Sequence, residues 1–573
     1  MRERGAYHVG MNNFPAASVS VIALLPDRLA YPLAEFSALI RSALDQDYAP
    51  QSVIVADGRG PTAALDFMPA GADASRVRHI RGDYATRAAL LAAAFEAVDT
   101  DFALLVYCDQ AAIRLRRSCL ATMLMAATRV APPRENTPEL GQAPHARVAL
   151  VGPAAALSAE DRPVGLVYAD YERIEADGQR RDVHLLDLHA GRLRDTLDLG
   201  AVWLCPTAAL RGSGGFDASL KAADMYDLRL KLSERYAVSH IANRYAGALY
   251  GVTAPARAHN VFDYLLAGKD VQLELERVCT EHLRRSGAYL APGAHTRRVE
   301  YTAAEQARFA DCLASVVTPV NRRPQFIGRA IESVQAQSER RVEMIVVVNG
   351  GADDPTADEV RRYMPGGDRY DESKPPVRLI VVDVNNLGLC LNSGIAAARG
   401  KFYVQLDSDD RLKPDAVERL LAVFDSDATI GMVVGSYEVW TLDERSGALR
   451  RNEEVPVVTH DEWTADNGRN NLLRINGAGA PRAAHVKVIR DAGWFGVNDT
   501  PACRNYGEDY DLVLRISERY TIGRVWAPIY EVIRHAGGTD HAIDQGTIDR
   551  NDSAKDAMRL EALRRRQALN RAR

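Results

Sequence analysis

Residues 402–410, Phe-Tyr-Val-Gln-Leu-Asp-Ser-Asp-Asp, run from an apolar stretch into three carboxylates within four positions. Buried strands of parallel sheets read as near-continuous hydrophobic runs, and ligands of open α/β sheets sit outside the carboxyl ends of their strands. Asp407, Asp409 and Asp410 at such a strand end repel one another unless a cation meets them. A divalent ion bridging to a diphosphate suits the pattern, because Mg²⁺ takes one or two carboxylates and completes its shell with phosphate oxygens. The competing account is a solvated acidic turn at the start of the next helix, where carboxylates are favourable without any ligand.

The elements that position this stretch follow from the rest of the chain. With 573 residues the protein exceeds a single core, so two or more domains are expected. A hydrophobic fraction of 47% and a charged fraction of 26% are those of an ordinary globular protein. The net charge of -5 argues against nucleic acid as a partner. Seven cysteines are scattered without a CxxC pair, which argues against a disulfide framework or zinc site and for a reducing compartment. No signal-peptide core or membrane-length apolar run occurs, so the expected location is the cytoplasm.

Residues 18–25, 52–56 and 102–107 read as buried strands, separated by helical patterns through Phe36, Leu39, Ile40 and Leu44 and from Thr86 to Val98. Such alternation implies parallel βαβ units in an α/β sheet. A Pro-rich loop at 131–138, a strand and turn over 166–182 and an amphipathic helix over 224–236 follow. From Ala254 to Ala310 charge-rich helices read as a connector.

The second half then repeats the first. Residues 312–319 form another strand ending in proline, and 342–348 end in Asn349-Gly350 as Ala56 ends in Asp57-Gly58. At an offset of 300, Asp83, Phe102 and Asp109 meet Asp383, Phe402 and Asp409. At an offset of 284, Tyr226-Asp-Leu228 and Ser233-Glu-Arg-Tyr236 meet Tyr510-Asp-Leu512 and Ser517-Glu-Arg-Tyr520. Landmarks recurring in one order are what duplication leaves behind. The copies differ at the chemistry: Asp407-Ser-Asp-Asp410 faces Tyr107-Cys-Asp-Gln110, Glu508-Asp509 faces Asp224-Met225, and His535 falls opposite Gly251. The first half therefore reads as a scaffold that kept the fold and lost the site.

Over about 40% of the chain, from Leu313 to His535, the second half resembles the inverting family 2 glycosyltransferases of GT-A fold. The resemblance is carried by Val317-Thr-Pro-Val-Asn-Arg322, Asn385-Asn-Leu-Gly388, Leu391-Asn-Ser-Gly394, Leu406-Asp-Ser-Asp-Asp410, Gly507-Glu-Asp-Tyr-Asp511 and Arg534-His-Ala-Gly-Gly538. It implies two tandem GT-A-like, Rossmann-like domains: a degenerate one over 14–253, a helical connector over 254–310, a catalytic domain over 311–540 and a basic tail over 541–573.

On that likeness Pro319, Asn321, Arg322, Asn349, Asn386, Asn392, Asp407 and Ser408 would bind the nucleotide sugar. Asn349 departs from the aspartate usual there, though its amide oxygen can still accept a ring N–H of uracil. Asp409 and His535 would hold Mn²⁺ or Mg²⁺, with imidazole the more natural ligand for Mn²⁺. The metal would stabilise the departing diphosphate. Asp509 would serve as general base toward the acceptor hydroxyl, with Glu508 orienting the acceptor, and attack opposite the leaving group would invert the anomeric centre. The plainer account of Glu508 and Asp509 is an acidic helix start; that of His535 is a loop histidine. Asp511 recurs as Asp227 and reads as structural, and Asp410 has no assigned role. The segment 470–479 would face the donor sugar and acceptor, or serve as a plain loop.

The expected partners are a nucleotide-diphosphate sugar, UDP-linked by preference, and a carbohydrate or other hydroxyl acceptor in glycan synthesis. The basic helix of the tail, with Leu560, Leu563 and Leu569 as its apolar residues, offers a surface for peripheral membrane contact or oligomerisation, the plainer alternative being packing on its own domain. Two other functions are weaker: a bifunctional polymerase, against which Met225, Gln110 and Gly251 speak, and a non-catalytic carbohydrate- or nucleotide-binding scaffold, against which the intact acidic set speaks. A nucleotidyltransferase ranks lower, since no Gly-rich basic loop follows the first strand.

Overall fold

The structure is a computed structural model that describes residues 17–109, 111–128, 162–175, 177–243, 247–253, 268–443, 445–459, 464, 466–475, 477–497, 506–535 and 545–572. The Pro-rich stretch 131–138, Gln110, the start of the proposed connector at 254–267 and the first residues of the tail lie outside these. The chain divides into two units, Met1–Ala190 with Thr196–Asn260, and Gly191–Asp195 with Val261–Arg573.

In the first unit Val19–Leu25 (β1), Ser52–Asp57 (β2), Val77–Arg81 (β3) and Phe102–Val106 (β4) alternate with the helices Leu33–Leu44 (α1) and Arg87–Glu96 (α2). Ala112–Leu115 (β5), Val164–Ala169 (β6), Tyr171–Ile174 (β7), Arg180–Val183 (β8), Val202–Pro206 (β9), Ala237–Ile241 (β10) and Tyr250–Thr253 (β11) complete the strands, and Asp224–Arg235 (α3) precedes β10. The principal sheet runs β3-β2-β1-β4-β9-β6-β10, with β9 alone antiparallel to its neighbours. Every residue of β1 and β2 is buried, which is why both read as unbroken hydrophobic runs.

The second unit contains Lys269–Arg285 (α4), Ala314–Val320 (β12), Pro324–Gln335 (α5), Val342–Val348 (β13), Val377–Val381 (β14), Leu387–Ala397 (α6), Phe402–Gln405 (β15) and Arg411–Leu412 (β16). Ile430–Leu442 (β17), Leu449–Arg451 (β18), Arg482–His485 (β19), Glu508–Ser517 (α7), Thr521–Arg534 (β20) and Gln545–Arg571 (α8) follow. Its sheet runs β14-β13-β12-β15-β19-β17-β20-β16, and again β19 opposes both neighbours. From β14 to β20, order and direction match those of the seven strands of the first sheet, a stronger sign of kinship than any four-residue echo.

The expected α/β class therefore holds for both halves, with one divergence between them. β17 and β20 are single strands of 13 and 14 residues. Their counterparts in the first unit are each broken in two, and the distal pieces, β7 and β11, belong to a separate four-stranded sheet with β5 and β8. Asp170 sits at one break and fills it, its carboxylate accepting from the N–H of Leu185 at 2.8 Å and of Asn243 at 2.8 Å and meeting His240 Nε2 at 2.7 Å.

Strand pairing also corrects one alignment. Leu115 pairs Tyr250 as Leu412 pairs Tyr530, so Gly251 corresponds to Glu531 and not to His535. The counterpart of His535 lies beyond Thr253, outside the described residues.

The tail forms the long helix α8, two of whose arginines turn inward. Arg559 and Arg566 are fully buried; Arg559 donates to the Ile475 carbonyl at 2.9 Å and Arg566 to Ser517 Oγ at 3.0 Å. The segment 191–195 meets the same helix through Arg192 with Asp556 at 3.4 Å and Arg194 with Asp552 at 2.9 Å. That face of the helix packs on its own unit, whereas Arg550 and Arg571 stay exposed. Among the described residues no helix is long and apolar enough to cross a membrane.

Candidate active site

In the second unit β15 delivers Asp407, Ser408, Asp409 and Asp410 just past the carboxyl end of a parallel strand, as the run Phe-Tyr-Val-Gln-Leu dictates. The four have separate surroundings. Asp409 Oδ2 accepts from Arg323 Nη1 at 2.6 Å, and His535 Nε2 lies 3.0 Å from the same oxygen. The His535 ring leans on Phe326, 4.3 Å between centroids. Asp410 is buried and accepts the backbone N–H of Ile533 at 2.8 Å. It thus fixes the strand that carries His535 two residues on, which gives it a positioning role. Burial, followed by the nearby Asp407 and Asp409, pushes its carboxyl well up. Asp407, whose N–H donates to the Tyr530 hydroxyl at 3.1 Å, is also raised, first by burial and then by its acidic neighbours against the pull of Arg482. Ser408 is buried.

The second acidic pair opens α7. Gly507, in the left-handed region at φ 81°, turns the chain so that Glu508 and Asp509 start the helix. Asp509 Oδ2 accepts from Arg482 Nη1 at 2.5 Å, and Oδ1 from the Tyr510 N–H at 2.7 Å. Burial opposes ionisation of Asp509, but Arg482 and Lys555 outweigh it and hold the carboxyl below the usual range. Glu508 behaves oppositely: burial first, then the charge of Asp509, pushes it up to about 7. Its Oε2 is buried without a hydrogen-bond partner among the described residues. Two adjacent carboxyls pushed apart in this way divide into a standing base and a group that holds a proton near neutrality. Asp511 pairs with Arg515 one turn on at 2.9 Å, as Asp227 pairs with Lys231 at 2.6 Å, so its recurrence is explained by the helix.

The residues expected at the nucleotide divide into two groups. Pro319 and Asn321 lie half-buried at the end of β12 and in the loop after it. Arg322 adopts φ 49° and donates its N–H to Asp354 at 2.8 Å. Asn349 is buried at the end of β13; its amide NH₂ faces Asn385 Oδ1 at 3.2 Å and Cys390 Sγ at 3.4 Å, which leaves Oδ1 without a partner among the described residues. A buried orphan acceptor is costly unless something completes it. Asn386 and Asn392 are engaged locally instead. Asn386 caps α6 through the Leu389 N–H at 2.8 Å and donates to the Val497 carbonyl at 3.1 Å. Asn392 exchanges two bonds with the Phe495 backbone, at 2.9 and 3.0 Å. Both have a scaffolding task. In the stretch 470–479, Asn470 brackets the Leu290 backbone at 2.9 and 3.0 Å and Arg474 pairs with Asp195 at 3.0 Å, so its first half is structural.

Sequence reasoning missed three cations: Arg323, Arg482 and Lys555. Arg482 had a signal, as an arginine opening a short and otherwise buried strand, Arg-Ala-Ala-His. Lys555, on α8, stacks 4.9 Å over the Tyr506 ring, and no spacing argument could bring the tail to this site.

The first unit fills the same places differently. Arg87 grips buried Asp224 with two bonds, 2.9 and 2.7 Å, and meets Asp109 at 2.9 Å. Asp57, the counterpart of Asn349, is fully buried and closed by Arg59 at 2.9 Å and His79 at 2.8 Å.

Residues 315–481 match the family described as glycosyl transferase family 2. The second unit therefore contains a domain of that glycosyltransferase family. The match takes in Arg323, Asn349 and Asp409 and stops short of Glu508, Asp509 and His535. Chondroitin synthase of Escherichia coli is 23% identical over 227 residues, 40% of this chain and 30% of that protein. The succinoglycan biosynthesis protein ExoO of Rhizobium meliloti is 39% identical over 139 residues, 24% of this chain and 36% of that one. The chain thus spans about a third of the length of these relatives. Among solved structures, S. aureus TarS 1-349 in complex with UDP-GlcNAc aligns with a TM-score of 0.32 and 15% identity, over 44% of this chain and 71% of that one.

Proposed function

We propose that the second unit is a metal-dependent inverting glycosyltransferase that moves a sugar from a nucleoside diphosphate to a hydroxyl acceptor in polysaccharide synthesis, and that it works in the cytoplasm. The family match and the polysaccharide-building names of the relatives support the reaction class. The observation that carries the assignment of residues is the convergence of Asp409 and His535 on one point, beside a carboxyl pair with opposed proton affinities.

The donor set fits a divalent ion. An oxygen and a nitrogen 3.0 Å apart are spaced as neighbouring ligands of an octahedral ion with bonds of about 2.1 Å. Two protein ligands leave room for phosphate oxygens, and a group of three or more His, Cys, Asp or Glu suited to a metal is absent among the described residues. A Mn²⁺ or Mg²⁺ ion held by Asp409 and His535 would offset the charge gathering on the leaving diphosphate.

The chain's own groups do the rest. Asp509, ionised at neutral pH, takes the proton of the acceptor hydroxyl. Glu508 hydrogen-bonds the acceptor beside it, through an Oε2 that has no hydrogen-bond partner among the described residues. Asn349 presents Oδ1 to a ring N–H of the base, as a uracil or guanine offers. Attack from the side opposite the diphosphate inverts the anomeric carbon. In the first unit Met225 occupies the place of the base and Arg87 that of the metal, which supports a non-catalytic role for it and weighs against two active transferases.

The test is a screen of nucleotide sugars for Mn²⁺-dependent thermal stabilisation and slow donor hydrolysis. One donor or a closely related set should give both. Hydrolysis that persists undiminished in Asp409→Ala would defeat the metal assignment.

A further inference from the structure

In both units the aspartate that follows the fourth parallel strand is met by a guanidinium, yet the two arginines come from different elements. Arg87 heads α2 in the first unit. Arg323 lies in the loop between β12 and α5, its N–H held by Thr356 Oγ1 at 2.9 Å after the left-handed turn at Arg322. A guanidinium at these two points from unrelated sequence positions indicates that the aspartate requires a cation in the fold itself. The two pairings differ in how firmly they are set. Arg87 is fixed by its two bonds to buried Asp224. The Arg323 guanidinium is held by Asp409 alone among the described residues, at 2.6 Å, although the two arginine–aspartate pairs are about equally exposed to solvent.

We infer that Arg323 is a displaceable counter-cation of Asp409, which competes with the divalent ion for Oδ2 and passes to the donor diphosphate when the ion binds. This rests on the metal reading above. The competition follows from geometry, since Arg323 and His535 approach the same oxygen and the ion must take the place of the first while keeping the second. The destination follows from chemistry: a planar guanidinium leaving a carboxylate finds its best alternative in phosphate oxygens. Metal and nucleoside diphosphate therefore assist each other's binding, by the same factor in each direction. The first unit holds the fixed form of this arrangement, where the arginine no longer leaves.

The test is titration of the full chain with Mn²⁺ alone, read by the electron paramagnetic signal of the free ion, and again with UDP at saturation. Wild type is compared with Arg323→Met and Arg323→Gln, and with Arg329→Met on α5 as a charge control. Thermal unfolding verifies that each variant is folded. Removing the resident charge should tighten binding of Mn²⁺ alone on the order of tenfold in both Arg323 variants. It should shrink the assistance between Mn²⁺ and UDP by a similar factor, with Arg329→Met like wild type. Mn²⁺ binding that is unchanged or weaker in the Arg323 variants, while wild type binds Mn²⁺ with UDP, overturns the inference and leaves the metal reading standing. So does a control that matches them. Absence of Mn²⁺ binding in every protein, with UDP or without, overturns both.

Discussion

Arg482 offers the sharpest perturbation of the proposed chemistry. Its Nη1 lies 2.5 Å from Asp509 Oδ2 and 3.2 Å from the Ala478 carbonyl. It is the foremost group holding the Asp509 carboxyl down against burial. An opposite charge at this range lowers a carboxyl by about 1–3 pH units. Replacing it in Arg482→Met should therefore raise Asp509 by about that amount. The direction for activity follows: a general base works only when deprotonated, so kcat/KM falls as pH drops through its pKa, and raising that pKa moves the acidic limb upward. Glu508, already near 7, loses a favourable cation as well, so the pair titrates closer to the working range. The assay is the pH profile of kcat/KM for transfer or donor hydrolysis, from about pH 5 to about pH 9. Arg482→Met should be most impaired at the acidic end and recover as pH rises. Arg482→Lys keeps the charge without the second bond and should return the limb most of the way. A limb that stays in place in Arg482→Met, or a uniform loss at every pH, would refute an electrostatic role and reduce the arginine to a strut.

Asp509→Asn should lower turnover by about 10²–10⁴-fold while the protein stays folded, and Asp409→Ala should remove Mn²⁺-dependent transfer; near wild-type turnover in either would unseat that residue. Glu508 carries a proton in the folded protein to about pH 7 that it loses near pH 4.5 when unfolded, so stability declines between those values. Glu508→Gln should then be stabilising by roughly 3 kcal/mol above pH 8 and nearly neutral at pH 4.5, in urea melts at the two pH values; an equal effect at both would dismiss the raised pKa. Arg87→Met leaves Asp224 buried and unpaired, so unfolding of the first unit should ease by about 3 kcal/mol, followed by calorimetry. A loss under about 1 kcal/mol would mean that water replaces the guanidinium.

The alternation of apolar strands with helices was legible because most strands of the two principal sheets are buried on both faces, and a run such as Val-Glu-Met-Ile-Val-Val-Val has few other uses. Asp409 was legible by the same logic, as charge at the end of such a run. Its partners were not. Arg323 stands beside Arg322 in sequence, and only the left-handed turn between strand and helix decides which of the two reaches the aspartate. Asn386 and Asn392 carry motif-like spacing, but hydrogen bonds to backbone more than a hundred residues away claim their amides. The inward-facing arginines of α8 read as a basic surface because sequence shows charge and not the carbonyls that meet it. The alignment of His535 with Gly251 slipped because a fixed offset ignores residues gained or lost between landmarks, whereas strand register counts them.

The long strands β17 and β20 bear on how the site unfolds. β20 begins among core residues at Ile522 and ends at Arg534, next to the histidine, and its pairing with β17 extends from Ile430 to Thr441 through three local irregularities. Amides at 530–533 thus belong to the same pair of strands as amides in the middle of the sheet, the register between them shifting near Ser436 and Pro528. In native-state hydrogen exchange they should open only with the sheet as a whole. Residues 250–252 occupy the same place in the first unit, but their strand is severed from the principal sheet, and they should exchange through a local opening of lower free energy. The strand that ends beside His535 should therefore open with its core, and the corresponding strand at Gly251 should open without it.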